Sequence, residues 1–179
     1  MRNNFFWGAS TSSHQLEGTN FNNWSVFEIE NAGKMLARSV KNFSYIAGKR
    51  KLSKEIKKPS SYISGKGPDS YNLYKEDIKL LKKLGLNAYR FSIEWSRIEP
   101  VEGNFDKLQL KHYQNLVDEL LENGIEPIVT LWHFSLPVWF EKQGGFSGVD
   151  GVKKFGRYCE FISKYLKGVK YFLTINEPN

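Results

Sequence analysis

The sequence predicts an α/β chain, the first four strands of a (β/α)8 barrel, on three observations. An Asp-capped helix, a glycine and an apolar strand follow one another three times after residue 68. The closing glycines Gly85, Gly124 and Gly168 stand 39 and 44 residues apart, a period that suits a repeated βα unit. Nine residues beyond each glycine lie Glu94, His133 and Glu177, so polar or ionisable groups recur where the strands end. The carboxyl ends of parallel barrel strands are where chemistry is placed.

The elements follow in order. Phe5 to Ala9 is a short apolar run, readable as a first strand, and Ser10 to Gly18 is a polar loop. Residues 20–66 have weak periodicity and are rich in Asn and Lys; they read as a long βα loop with a short helix over Trp24 to Ala37. Asp69 or Ser70 can cap a helix with Tyr74, Ile78, Leu81 and Leu84 inward; Gly85 ends it and Ala88 to Ile93 is a strand. Asp106 can cap the next, with Tyr113, Leu116, Val117, Leu120 and Leu121 inward, before Gly124 and a strand over Ile128 to Leu131. Asp150 can cap the third, with Phe155, Tyr158, Cys159, Ile162 and Leu166 inward. After Gly168, Tyr171 to Ile175 reads as a buried strand that Pro178 stops. Nothing resembles a domain linker, so residues 1–179 are expected to form the amino-terminal half of one barrel domain, with a Lys-rich loop insertion at about 31–66.

Composition narrows the class. Hydrophobic residues at 40% and charged residues at 25% suit a globular protein. The net charge of +7 is uneven: between Lys34 and Lys66 ten basic residues meet one acidic residue, Glu55, and the rest of the chain is close to neutral. The basicity therefore reads as a solvated local face rather than a nucleic-acid surface. A single cysteine, Cys159, excludes an internal disulfide. The start lacks the apolar core of a signal peptide and no run approaches membrane-spanning length, so a cytoplasmic location without membrane contact is expected.

Several positions suit chemistry. Glu177 offers a carboxyl group at a strand end; walled by apolar residues, such a group serves as a general acid, though it equally suits a helix cap or an ion pair. Asn176 beside it can bond a ligand hydroxyl or hold its own loop in an Asx turn. Arg90 lies inside a core strand and calls for an anionic partner, in a site or in a structural ion pair. His133, among aromatics, has no metal-ligand partners at recognisable spacing and suits a hydrogen bond to a sugar hydroxyl. His14 and His112 read as loop and helix-surface residues. No glycine-rich phosphate loop and no Ser/His/Asp arrangement is found.

Three separated motifs now agree. Phe5-Phe6-Trp7-Gly8-Ala9-Ser10-Thr11-Ser12-Ser13-His14-Gln15-Leu16-Glu17-Gly18 closely resembles the amino-terminal signature of glycoside hydrolase family 1, the β-glucosidase and β-galactosidase family. Tyr74 to Ile78 and Gly85 to Ile98 resemble its second strand and the helix before it, and Thr174-Ile175-Asn176-Glu177-Pro178 resembles its acid/base motif. The resemblance implies a retaining β-glycosidase on a (β/α)8 TIM barrel. Glu177 would be the general acid and then the base. Gln15, His133 and Asn176 would hold sugar hydroxyls, Trp132 and Phe134 would line the subsite, and Arg90 would orient the nucleophilic carboxylate. Metal, nicotinamide and flavin are not implied.

The chain departs from the family pattern at Phe134, where many members carry Trp, and at Ser70, Asn72 and Leu73. Retention also needs a second carboxylate about 5–5.5 Å from the first. The family supplies it as a Glu at the end of a seventh strand that this chain lacks, and does not use the position of Glu94 for it. The expectation is therefore an amino-terminal fragment, inactive alone, partnered by a carboxyl-terminal half that supplies the nucleophile. The rival readings are a non-catalytic carbohydrate-binding half-barrel or pseudoenzyme remnant, and a nucleic-acid binder resting on the Lys-rich segment alone.

Overall fold

A computed structural model describes residues 5–46 and 58–178. Four parallel strands lie in sequence order: β1 (Gly8–Ser10), β2 (Ala88–Ser92), β3 (Glu126–Trp132) and β4 (Tyr171–Ile175). The register sets Gly8 against Ala88, Ala88 against Glu126, and Ile128 against Tyr171. The connections run through α1 (Ser13–Leu16), α2 (Asn23–Ile46), α3 (Ser70–Lys83), α4 (Trp95–Ile98), α5 (Lys107–Glu122), α6 (Val138–Lys142) and α7 (Gly151–Tyr165). This is the beginning of a (β/α)8 barrel, as the βα period predicts.

Alternation along the strands sorts the side chains between two faces. Tyr89, Phe91, Val129 and Leu131 join the buried cluster formed with Ile78 of α3, Leu116, Val117 and Leu120 of α5, and Tyr158 and Ile162 of α7. Arg90 and Thr130 point to the other face, where Arg90 Nε donates to Thr130 Oγ1 at 2.8 Å. The apolar face fixes the sheet on its helices and leaves the polar face for a site. Trp95 is the centre of the upper core: it stacks on Tyr158 at 4.8 Å, and its Nε1 donates to buried Glu99.

Several expectations are corrected. β1 begins at Gly8, and Phe5, Phe6 and Trp7 before it are exposed. The polar loop folds locally into α1. The long loop is largely a helix: α2 runs 24 residues, so residues 31–46 of the supposed loop insertion are helical. Residues 47–57, the centre of the Lys-rich segment, lie outside the described residues. Leu84 and Leu121 are exposed rather than inward, while Phe155 and Cys159 are half-buried. β4 is a half-exposed strand on the edge of the sheet, not a buried one, because among the described residues it pairs only with β3.

The three Asp caps divide. Asp106 has extended backbone and its carboxylate accepts from the Leu108 and Gln109 N–H groups, as a capping residue should. Asp69 and Asp150 precede their helices with φ of 60°, in the left-handed region, and make no side-chain cap. From that backbone their carboxylates pair instead with Lys66 and Lys153.

Candidate functional site

The site is built at the carboxyl ends of β1, β3 and β4. A cleft of about 480 Å³ is lined by Gln15, His133, Phe134, Asn176 and Glu177, five of the seven residues the sequence marks. The other two lie behind it. Arg90 Nη2 donates to Asn176 Oδ1 at 2.6 Å, and Trp132 packs against Phe134 and Phe146.

Each residue is placed by the strand ends. The Asn176 N–H donates to the Trp132 carbonyl at 3.0 Å, which extends the pairing of β3 and β4 by one residue and buries Asn176. Glu177 then turns off the strand with φ of 48° and is exposed. Its expected apolar walls are therefore not present among the described residues, and its charge acts on the neighbouring His133. Phe134 turns after β3 with φ of 70°, a conformation uncommon for an aromatic residue. Gln15 lies in α1 and lines the cleft, and the Ser12 hydroxyl donates to its Oε1 at 2.8 Å.

Arg90 answers its buried-charge question differently from expectation. Its bonds run to Thr130 and Asn176, both neutral, and no carboxylate pairs with it among the described residues. Two amide or hydroxyl acceptors are a weak counterweight to a guanidinium, and Arg90 keeps the half-exposed position that hydration requires. Its bond to Asn176 Oδ1 leaves the Asn176 amide N–H₂ as the end that can donate to a ligand.

His133 is the other polar wall. Burial and then the Arg90 charge lower its pKa, against Glu177, which favours the neutral imidazole. Among the described residues its Nδ1 is buried without a partner, as is Trp132 Nε1. Unpaired buried polar atoms are costly and mark places where a ligand atom fits.

Glu94, the remaining strand-end carboxylate, is fully buried and enclosed by hydroxyls. Ser13 and Ser135 donate to Oε2 and Ser96 donates to Oε1 at 2.9–3.0 Å. It also accepts from the Ser96 N–H as the cap of α4. Its oxygens hold three segments together and are not free for a substrate.

Three lining residues, Trp24, Glu28 and Ser64, carry no sequence signal of their own, and His14 stands in the first motif without a role assigned to it. His14, read as a plain loop residue, meets Glu28 of α2 at 3.1 Å, and Ser64 bonds both Glu28 oxygens. Only the adjacency of His14 to Gln15 points to it. His112 is likewise not a surface residue: its ring stacks on Tyr71 at 3.7 Å, and burial with the nearby Arg97 charge pushes its pKa down to about 4. Glu17 of the first motif is buried outside the cleft, bonded by Arg97 and the Tyr113 hydroxyl.

Comparison with known proteins places the chain in a family. The family description "Glycosyl hydrolase family 1" matches residues 1–179. The human cytosolic beta-glucosidase is 35% identical over 98% of this chain and 34% of its own length. Beta-glucosidase 14 of Arabidopsis thaliana is 37% identical over 97% of the chain and 33% of its own. Among solved structures, the beta-glycosidase from Pyrococcus horikoshii superposes with a TM-score of 0.78 at 37% identity, over 99% of this chain and 36% of that one. The chain thus spans about a third of the length of these relatives. Matched along its whole length by the family and by relatives well above 30% identity, the chain belongs to glycosyl hydrolase family 1.

Proposed function

We propose that this chain is part of a retaining β-glycosidase acting on β-linked glucosides or galactosides, with Glu177 as its general acid and base. The observation that carries the reading is one cleft at the carboxyl ends of the strands that gathers Glu177, Asn176, His133 and Gln15. In the first step the Glu177 carboxyl protonates the leaving glycosidic oxygen while a nucleophilic carboxylate takes the anomeric carbon. In the second, Glu177 removes a proton from the water that releases the sugar. Asn176, His133 and Gln15 hold sugar hydroxyls. Trp132 backs the subsite and Phe134 forms part of its rim.

The nucleophile is assigned to a carboxyl-terminal portion of the barrel. Glu94 cannot serve while its oxygens are taken by three serine hydroxyls. Arg90 is then the residue that would meet the incoming carboxylate, exchanging neutral partners for an anion. The human relative is a cytosolic beta-glucosidase, which supports the same location here. No helix among the described residues is long and apolar enough to cross a membrane.

The test is turnover of an aryl β-glucoside by residues 1–179, alone and with the carboxyl-terminal portion of a family member supplied separately. The expected result is no turnover alone, and turnover on complementation that Glu177→Gln lowers by about 10²–10⁴-fold, the usual contribution of a general acid or base. Robust turnover by the monomer alone would overturn the division of the carboxyl pair. Binding of glycosides without turnover, unchanged in Glu177→Gln, would favour the non-catalytic carbohydrate-binding reading.

A further inference from the structure

The cleft has two walls of opposite character. On one, His133 Nδ1 lacks a partner and the amide groups of Gln15 and Asn176 keep donors to spare. The other wall is the cluster from α1, α2 and the segment after residue 57. There Asn22 Nδ2 meets His14 Nδ1 at 3.2 Å, and His14 Nε2 meets Glu28 Oε1 at 3.1 Å. Ser64 donates its hydroxyl to Glu28 Oε1 at 2.7 Å and its N–H to Oε2 at 2.8 Å. The hydrogen-bonding capacity of this wall is spent within itself. It has little left for a ring carrying several hydroxyls.

What it still offers is a flat aromatic face and a negative charge. Trp24 lines the cleft and also an adjoining groove over Phe27, and is 43% exposed. Burial works against ionisation of Glu28, but the two bonds from Ser64 and that from His14 outweigh it and hold its pKa below the ordinary value. Of the described residues that line the cleft Glu28 and Glu177 are acidic, and none is Lys or Arg. An indole beside a carboxylate attracts planar and cationic groups and repels anions.

We infer that Trp24 and Glu28 take the non-sugar portion of the substrate and select a planar, uncharged or cationic group over an anionic one. This specificity rests on the glycosidase reading above, and it deepens that reading by naming the aglycone class. Glu28 acts through its charge on the cleft wall and its hold on His14 and Ser64; Trp24 supplies the contact face.

The experiment measures dissociation constants of residues 1–179 for three β-D-glucosides with phenyl, para-carboxyphenyl and para-trimethylammoniophenyl aglycones, with methyl β-D-glucoside as the sugar reference. The carboxyphenyl glucoside should bind roughly tenfold more weakly than the phenyl one, the effect of one like charge at several ångströms in a partly hydrated cleft. Glu28→Gln, which keeps an oxygen for Ser64, should narrow that ratio to within about threefold, and high salt should narrow it in the wild type. Trp24→Ala should weaken all three aryl glucosides severalfold and leave the methyl glucoside as it was. Equal binding of the carboxyphenyl and phenyl glucosides, or a ratio that Glu28→Gln does not move, would overturn this inference alone. Failure of every glucoside to bind, methyl included, would overturn the carbohydrate reading and this inference with it.

Discussion

Buried carboxylates separate structural from functional acids at the scale of single residues. Glu17 is enclosed, and burial raises its pKa from 4.5 to about 7; the repulsion of Glu94 adds to this, while Arg97 and the Tyr113 hydroxyl oppose it. A folded-state value above the unfolded one means the folded chain holds the proton more tightly. The stability Glu17 contributes is therefore full below about pH 4.5 and is lost as pH rises through about 7. The span corresponds to at most about 3 kcal/mol. Urea melts of wild type and Glu17→Gln between pH 5 and 8 should show the wild type losing stability relative to the variant as pH rises. Parallel pH profiles would refute the assignment. The same scale shows what local sequence can carry. Glu177, Asn176, His133 and Gln15 were legible because each follows a strand or sits in a contiguous motif. Glu28 and Ser64 were not, because they are 36 residues apart and meet only through the packing of α2 and the returning segment on α1. The apolar enclosure of Glu177 and the anionic partner of Arg90 were expected from strand position alone, but an exposed turn at Glu177 and the polar groups of Thr130 and Asn176 replace them.

For whole elements, backbone conformation decides whether a capping sequence caps. Asp106 reaches the N–H groups of Leu108 and Gln109 at 2.8 and 3.1 Å, so Asp106→Ala should cost about 1 kcal/mol. Asp150 occupies the same sequence position before α7 but bonds Lys153 on an exposed surface, so Asp150→Asn, which keeps a residue that tolerates the left-handed backbone, should lose only the few tenths expected of such a pair. Asp150→Gly should even stabilise, since glycine adopts the left-handed backbone without strain. Denaturant midpoints for the three variants test the ranking; equal losses for Asp106→Ala and Asp150→Asn would show that the cap bonds of Asp106 carry no weight. Helix α2 makes a related point. Its Asn and Lys content hides the helical period, yet Asn22 Oδ1 accepts from the Ser25 N–H to start it, and Glu28 ties it to Ser64. The tie closes at Gly18, whose φ of 78° and approach to the Lys66 carbonyl would put a β-carbon 1.9 Å from that oxygen. Only glycine fits there, so Gly18→Ala should unseat the Ser64 segment from the cleft and weaken glycoside binding along with stability.

At the scale of the molecule, the repeat predicted the architecture because each βα unit carries its own signal: a period, a glycine and an apolar strand. The repeat does not predict how deeply a given strand is buried, which depends on whether another strand lies beside it. β2 and β3 have neighbours on both sides and are largely buried; β1 and β4 have one neighbour each and are not. Unpaired strand edges with exposed apolar side chains invite association. Here the amino ends of the strands also carry an aromatic patch: Phe6 meets Tyr171 edge-on at 5.5 Å, and Phe5 and Trp7 beside it are more than half exposed. Residues 1–179 should therefore self-associate at micromolar concentration, with a molecular mass by light scattering that rises with loading. Tyr171→Lys places a charge on the β4 edge at the end remote from Glu177, and should reduce that association while leaving glycoside binding in place. If the edge is where the rest of a barrel docks, a supplied carboxyl-terminal portion should compete with self-association, and Tyr171→Lys should weaken both together. A chain that stays monomeric at all loadings, or an association indifferent to Tyr171→Lys, would show that this edge is not the surface that drives it.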